Sequence, residues 1–589
     1  MSVAETLAIR ALNACRMRHR PTYVALRALL EKQQTSELPQ LIRAAERKLQ
    51  TRNSWRYFRY PIVKEVNAKR EVEYRQCMTG SPFTLIAEAI LLRKLSREAA
   101  FKKHGNVYSY LWPRNLYSGR NYDYYRYAFL NRNHKITKLL EASPNSVAVV
   151  NDVRRFYPSI SWDDLSPKLD ARLGEIGNKR LKTSAEKFIG SYRDASTSGL
   201  EIGPEISHFL ADVAMEDVDR QMAKTWSENY FRYVDDIIVV CPKEKTDTVQ
   251  KQLSDLISPL EIHDGKLDVV PSSVWTEGAP DFEATDKETF TFERLLRVLE
   301  VTILFQPERF NELSTAFSDQ GFSVPFRKIA VKSRYSRFKR FVKRWIDPKV
   351  RKTINPSVGD LIRETEKLSS TLQEEARQLR DALPSGGTVR RWKISRLRYL
   401  FNRIIYLSNA QNIDSVLELL PDGEEFVQQR VLLESLQNQT PYALLPYPGA
   451  VVSTFCELVT DGQYNADFGE LPESISDANA ESLATFLIHF SDKVTVKDLP
   501  QSSPEYGALL SQLTDRETKE YSIERQSYLD ESEQLLRDTT ATTRREYAMT
   551  RTSRRESRGL EGFALGDDSD DDKPIETDFE PVPLDDDYR

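Results

Sequence analysis

Four consecutive apolar residues, Val147-Ala148-Val149-Val150, run without helical period straight into Asn151-Asp152-Val153, and no other feature constrains the chain as much. A run that short and that continuous predicts a strand buried on both faces, with a carboxylate at its end. A second such pair follows more than 80 residues later: Phe231-Arg232-Tyr233-Val234, then Asp235-Asp236, then Ile237-Ile238-Val239-Val240. Two apolar runs joined by two turn-forming residues predict a β-hairpin, although Asp-Asp is a poorer two-residue turn than Asp-Gly. Carboxylates in such places are costly for structure alone, so a cation is expected there. Mg²⁺ takes oxygen ligands from one or two carboxylates plus substrate phosphates, and two such ions can clamp the oxygens of a phosphoryl transfer. Asp152 and Asp235 are the candidate ligands, with Asp236 adjacent and the Val153 carbonyl able to complete one shell. Against this stands a plainer reading, in which Asp235-Asp236 is a solvated turn and Asp152 caps another.

Composition sets the surroundings. At 589 residues the chain exceeds one ordinary core, and about two to four domains are expected. Its 22 Gly and 28 Pro fall below the roughly 12% average, which favours a helix-rich soluble protein and excludes collagen-like and low-complexity classes. No window approaches the ~18 uncharged apolar residues of a membrane span, and Arg breaks every apolar run of the N-terminus, MSVAETLAIRALNACRMRHR. Cys15, Cys77, Cys241 and Cys456 are scattered, with no CxxC or Cys/His spacing, so neither a disulfide framework nor a zinc site is expected. A reducing cytoplasm is the expected location.

Charge is uneven. Residues 563–589 hold eleven acids and two bases, so the first 562 residues carry +5 within a chain of net charge −4. Twelve bases and one acid fall between Arg327 and Lys352. A basic body with an acidic tail suggests a nucleic-acid partner.

The texture divides the chain. Residues 1–50 place apolar residues at helical spacing (Leu26, Leu29, Leu30; Leu41, Ile42, Ala45) and predict one or two amphipathic helices. Residues 51–320 pass from a basic, aromatic segment through the helix-like SPFTLIAEAILLRKLSREAAF, and then a stretch holding Tyr108, Tyr110, Tyr117, Tyr122, Tyr124, Tyr125 and Tyr127, to the two strand pairs. Residues 321–359 are the basic helical segment, and 360–510 read as Leu-rich helices of an all-α domain without a clean repeat. Residues 511–562 read as a charged helix, and 563–589 as a disordered acidic tail.

Three blocks together carry a resemblance. Asn151-Asp152-Val153-Arg154-Arg155-Phe156-Tyr157-Pro158-Ser159-Ile160 resembles the first catalytic palm motif of the reverse transcriptases, in the FYPSI form typical of bacterial members. Gly199-Leu200-Glu201-Ile202-Gly203-Pro204-Glu205-Ile206-Ser207, followed by Leu210-Ala211-Asp212, is similar to the second motif. Phe231-Arg232-Tyr233-Val234-Asp235-Asp236 carries the Tyr-X-Asp-Asp box. The resemblance covers about residues 70–310 and implies an α+β fold: a fingers-palm core with a helical thumb, followed here by the all-α C-terminal domain and the tail.

It also implies roles. Asp152 and Asp235 would hold two Mg²⁺ ions, for which Mn²⁺ can substitute, with Asp236 in support. Tyr157 falls at the steric-gate position, where an aromatic ring under the sugar excludes a 2′-hydroxyl. The block around Gly203 would lie under the incoming base and template, where backbone must approach closely. Arg75 would meet the triphosphate, Lys266 would be the lysine of the fourth motif, and Val298 to Leu304 would stand for the primer-grip hairpin. The family usually has Pro where this chain has Glu201, which puts an acid near the template or incoming nucleotide.

The rest of the chain discriminates among members. It contains no recognisable RNase H, integrase, maturase or HNH segment. The palm style and the long helical extension are similar to the defence-associated and abortive-infection reverse transcriptases that protect bacteria against phage. Partners so implied are RNA, in some members a dedicated non-coding RNA, a DNA product and dNTPs, with no membrane and with room for self-assembly or a companion defence protein. Some members polymerise without a conventional template or prime from protein.

Arg327, Lys328, Lys332, Arg334, Arg337, Lys339, Arg340, Lys343 and Arg344 would line one face of a helix against nucleic-acid phosphates, the bland alternative being a solvated basic helix. The tyrosines of 108–127 could stack bases, although most such residues are core with a hydrogen-bonded hydroxyl. His104, His134, His208 and His263 are isolated and are assigned no chemistry. The acidic tail is a solubilising segment or a mimic of nucleic acid. Two rivals remain: a catalytically silent RNA-binding scaffold with a polymerase fold, against which three clustered carboxylates argue, and an RNA-synthesising polymerase, against which Tyr157 argues.

Overall fold

Apolar stripes in the first fifty residues produce three helices, α1 (Val3–Arg16), α2 (Arg20–Lys32) and α3 (Leu38–Thr51), one more than expected. The third arises because Ile42, Ala45 and Leu49 form a stripe of their own. The computed structural model describes residues 2–16, 19–32, 38–66, 72–115, 117–123, 125–263, 267–278, 291–326, 329, 356–461, 464–469, 479–490 and 493–494.

An antiparallel pair follows, β1 (Tyr57–Val66) and β2 (Val72–Gly80), with a register shift between Val63 and Glu65. The chain then enters α4 (Pro82–Leu95), where Ser81 is the N-cap, its hydroxyl accepting from the Thr84 N–H at 3.0 Å, and Pro82 opens the first turn. This helix is apolar nearly all round and is buried accordingly. The three N-terminal helices pack on it within one hydrophobic core.

Helix α5 (Tyr125–Ala142) leads into strand β3 (Ser146–Asp152). After α6 (Phe156–Ser159), α7 (Trp162–Gly174), α8 (Lys179–Ala195) and α9 (Glu205–Trp226) come β4 (Tyr230–Tyr233), β5 (Asp236–Pro242), α10 (Thr246–Ile257), β6 (Asp268–Pro271) and α11 (Ser272–Gly278). Strands β3 to β6 form one antiparallel sheet in the order β4-β5-β3-β6. Val147 and Val149 of β3 and Ile237 and Val239 of β5 face the core shared with α9 and α10. Ala148, Val150, Ile238 and Val240 face α5 and α11. Helices on both faces explain why these strands are continuous apolar runs and do not alternate.

A second core begins earlier than the sequence texture suggested. Helices α12 (Phe292–Phe305) and α13 (Phe310–Asp319) pack with α14 (Val358–Asp381), α15 (Gly387–Ile404), α16 (Ile413–Leu419), α17 (Val427–Gln437), α18 (Gly449–Asp461) and α19 (Ala480–Phe490). The expected hairpin at 298–304 is therefore corrected: these residues lie inside α12. Phe292, Leu295, Leu296, Leu299 and Ile303 recur at helical spacing and are buried together. The two cores meet where α15 starts. The Asp268 carboxylate of β6 accepts from the Thr388 N–H at 2.6 Å, and Trp275 meets Trp392 edge-on at 4.9 Å.

Candidate active site

Strand β3 delivers Asp152 directly opposite Asp236, the first residue of β5. The next residue, Val153, donates its N–H to the Asp235 carbonyl at 3.1 Å, so the end of β3 lies against the tip of the β4–β5 hairpin. On the other side, the His263 N–H donates to the Asp152 carbonyl at 2.7 Å. Asp152, Asp235 and Asp236 are thereby gathered at one end of the sheet, each half-buried.

The hairpin tip differs from the expected one. Tyr233 pairs with Asp236, so the two loop residues are Val234 and Asp235, and Asp236 belongs to the strand. Val234 takes φ +58°, a left-handed conformation that a β-branched residue adopts only when its surroundings impose it. They do so at both ends of the residue. Its N–H donates to the Ser109 hydroxyl at 2.9 Å, and its carbonyl accepts from Arg232 Nη1 at 3.1 Å.

Arg232 itself is fixed by a buried ionic network. It donates to both oxygens of Asp219 at 2.7 Å and to Asp212 at 3.1 Å. Tyr230 donates to Asp219 at 2.7 Å, and Lys103 pairs with the other oxygen of Asp212. Burial opposes the charge on Arg232, but Asp219 and Asp212 outweigh it and hold the guanidinium protonated above its usual range. Burial holds the Lys103 ammonium below its usual range, against the pull of Asp212. Two cations and two carboxylates make the group neutral. The outer edge of β4 is also covered, since Arg232 exchanges backbone hydrogen bonds with Asn106 and Tyr108.

Asp236 has a cation of its own. Arg132 of α5 donates to it at 2.7 Å and lies over the rings of Phe129 and Tyr233.

Tyr157 stands in the first turn after Asp152. Burial, then Tyr110, then the carboxylates Asp235 and Asp212 push its phenol well above the usual range. Its hydroxyl shares a 2.6 Å hydrogen bond with Nδ1 of His208, on whose ring Tyr110 stacks.

The glycine block wedges between two neighbours. A Cβ on Gly199 would stand 2.3 Å from the Pro158 carbonyl, and one on Gly203, at φ +127°, would stand 2.1 Å from the Met78 carbonyl. The close approach expected at Gly203 is made to backbone of β2, whose Met78 N–H donates to Ile202 at 2.8 Å. The Glu201 carboxylate is engaged by Arg59 of β1 at 3.1 Å and by the N–H and hydroxyl of Thr197. Glu88 of α4 accepts from the Ile206 N–H at 2.9 Å and anchors the start of α9.

The remaining candidates are placed as follows. Arg75 lies on β2, opposite Ile62. Lys266 and the basic residues Arg327, Lys328, Lys332, Arg334, Arg337, Lys339, Arg340, Lys343 and Arg344 lie outside the described residues, as do Tyr124, the charged segment 511–562 and the tail. Tyr108 and Tyr122 are buried, Tyr122 donating to the Glu205 carbonyl at 2.8 Å, while Tyr117 and Tyr127 are exposed. Sequence reasoning missed Lys103, Arg132 and Asp219 and dismissed His208. The seven-residue spacing of Asp212 and Asp219, two turns on one face of a helix with apolar neighbours, was the available signal.

The carboxylates suit a hard divalent cation. Among the described residues no three His, Cys, Asp or Glu side chains are grouped so as to hold a metal ion. An open pair of carboxylates is the donor set expected where substrate phosphates complete the shell.

Residues 90–269 match the family model for reverse transcriptase (RNA-dependent DNA polymerase), a span that includes β3, α9 and the β4–β5 hairpin. No curated protein matches the chain. The matched segment is a reverse-transcriptase domain, and it makes the chain a nucleotidyltransferase of the RNA-directed DNA polymerase class. Enzymes of this family use divalent metal ions, typically Mg²⁺, with an RNA template, a DNA product and dNTP substrates. Among the described residues no helix is long and apolar enough to cross a membrane.

Proposed function

We propose that Asp152 and Asp235 are the metal-holding carboxylates of this polymerase, that Asp236 supports them, and that Tyr157 is the gate selecting deoxynucleotides. The observation that supports the reading is the junction of β3 with the hairpin tip, where Asp152 pairs with Asp236, the Val153 N–H donates to the Asp235 carbonyl and Arg132 engages Asp236. Two Mg²⁺ ions there, with the Val153 carbonyl in one shell, would neutralise charge on the attacking and leaving oxygens of a phosphoryl transfer. The chain's own part is to hold these oxygens rigidly at the sheet end and to keep the sugar side of the pocket narrow. Arg75 is proposed to meet the triphosphate, Lys266 to be the substrate-binding lysine of the fourth motif, and the basic run from Arg327 to Arg344 to meet nucleic-acid phosphates.

The cellular role we propose is defence of a bacterium against phage, in which the polymerase copies a non-coding RNA or extends a hydroxyl of protein without a conventional template. The FYPSI form of the first motif and the helices that follow the sheet support this reading.

The test is incorporation by the purified chain in Mg²⁺ of each labelled dNTP, singly and together, before and after nuclease treatment, beside Asp235→Ala/Asp236→Ala. Product that depends on the carboxylates and vanishes with RNase supports RNA-templated synthesis. Product that survives RNase supports untemplated or protein-primed synthesis, and none under any condition overturns the polymerase reading in favour of the scaffold. Phage plating on cells carrying the same double variant tests the defence role, which fails if protection persists.

A further inference from the structure

We propose that His208, clamped by Tyr110, fixes the orientation of the Tyr157 ring and so sets how strictly the polymerase distinguishes deoxyribose from ribose. The inference rests on the gate reading of Tyr157 and adds to it the two residues that hold the gate in place.

A steric gate works only while its ring stays put, because a 2′-hydroxyl is one atom in size and a rotamer change of the ring admits it. Tyr157 is held at its far end. Its hydroxyl and His208 Nδ1 share a 2.6 Å hydrogen bond, and the two rings meet at 64° with centroids 5.5 Å apart. Phe156 packs edge-on against the near side, at 5.2 Å.

His208 is in turn held on several sides. It is buried in the second turn of α9, whose first turn is anchored by Glu88. Tyr110 lies flat on its imidazole, with centroids 3.7 Å apart and planes at 9°. To reach that position Tyr110 adopts φ +47°, a backbone conformation that residues with a Cβ seldom take. Its ring continues through Tyr122, at 5.3 Å, to Trp112, whose indole N–H donates to the Phe101 carbonyl at 2.9 Å. Strain at Tyr110 is thus spent on the stack that presses on His208.

His208 and Tyr110 are positioning residues: they act through Tyr157 and are not assigned contact with the reacting atoms. The test measures kcat/KM for a dNTP and for the matching rNTP with the full chain. His208→Ala and Tyr157→Phe should each lower the dNTP-to-rNTP ratio by about tenfold, the scale expected from loss of one hydrogen bond, and the change should lie in the KM for the rNTP. His208→Asn, which keeps a polar atom near the Nδ1 position, should restore most of the ratio. The double variant Tyr157→Phe/His208→Ala should discriminate no worse than Tyr157→Phe alone, because that variant already lacks the bond to His208 along with the one to Tyr110. An unchanged ratio in His208→Ala, or additive losses in the double variant, overturns the inference while leaving the polymerase reading intact. If the unmodified chain incorporates neither nucleotide, the polymerase reading itself fails, and this inference with it.

Discussion

Arg132 Nη1 stands 2.7 Å from Asp236 Oδ2, with the arginine side chain 3% exposed and the carboxylate 34% exposed. The pair gives Asp236 a buried cation of the fold, whereas Asp152 and Asp235 are the acids proposed to hold the metal ions. Asp236→Asn should therefore reduce dNTP incorporation far less than Asp152→Asn or Asp235→Asn, each of which should lower it by about a hundredfold or more, the scale on which two-metal sites depend on a carboxylate. Circular dichroism should show all three variants folded. Equal losses in all three would place Asp236 among the ligands.

Arg232 and Arg59 both pair with carboxylates, but their side chains are 1% and 41% exposed. Arg232→Met strands Asp219 in the core and should cost about 3–5 kcal/mol, read as a lower denaturant midpoint. Arg59→Met removes a half-solvated pair and should cost less than about 1 kcal/mol. Similar losses from both would show that the buried network is not what holds the hairpin.

Two glycines provide an internal comparison. Gly203→Ala drives a Cβ into the Met78 carbonyl at a positive φ and should cost at least about 1–3 kcal/mol. Gly190 lies inside α8, where an added Cβ would meet nothing within 4 Å, so Gly190→Ala should stabilise by up to about 1 kcal/mol. Thermal melts of the two variants should move in opposite directions.

The buried phenols predict alkaline unfolding. Burial pushes Tyr57, Tyr122, Tyr157 and Tyr230 well above the usual range, and Tyr464 up to about 12. Above about pH 10 the unfolded chain sheds these protons while the native chain keeps them, so the stability they contribute is present below that pH and is lost as pH rises through the native values. Lys103 and Arg10, held below their usual ranges, act in the opposite sense but are outnumbered. Absorbance at the tyrosinate band should show the buried group ionising together with loss of circular dichroism. A smooth titration near pH 10 with the fold intact would contradict this.

The strands and their acids were legible because a four-residue apolar run is too short for a helix, and because a carboxylate at its end has few structural reasons to be there. The hairpin tip was misread for a physical reason. Asp235-Asp236 looks like a turn pair locally, yet Val234 takes the left-handed place because Ser109, 125 residues away, and Arg232 hold its two backbone groups. His208 was dismissed for want of a neighbour, and its neighbours Tyr110 and Tyr157 are brought to it only by the packing of α9. Residues 298–304 look extended in isolation. Their helical period shows only when the window is widened back to Phe292.

The β1–β2 pair is joined to the glycine block at its base by the Met78–Ile202 hydrogen bond, the Arg59–Glu201 pair and the seat that Gly203 leaves for the Met78 carbonyl. These ties make a fulcrum. A hinge at the root of the pair would have to break all three at once, so the strand pair and the glycine block move as one piece.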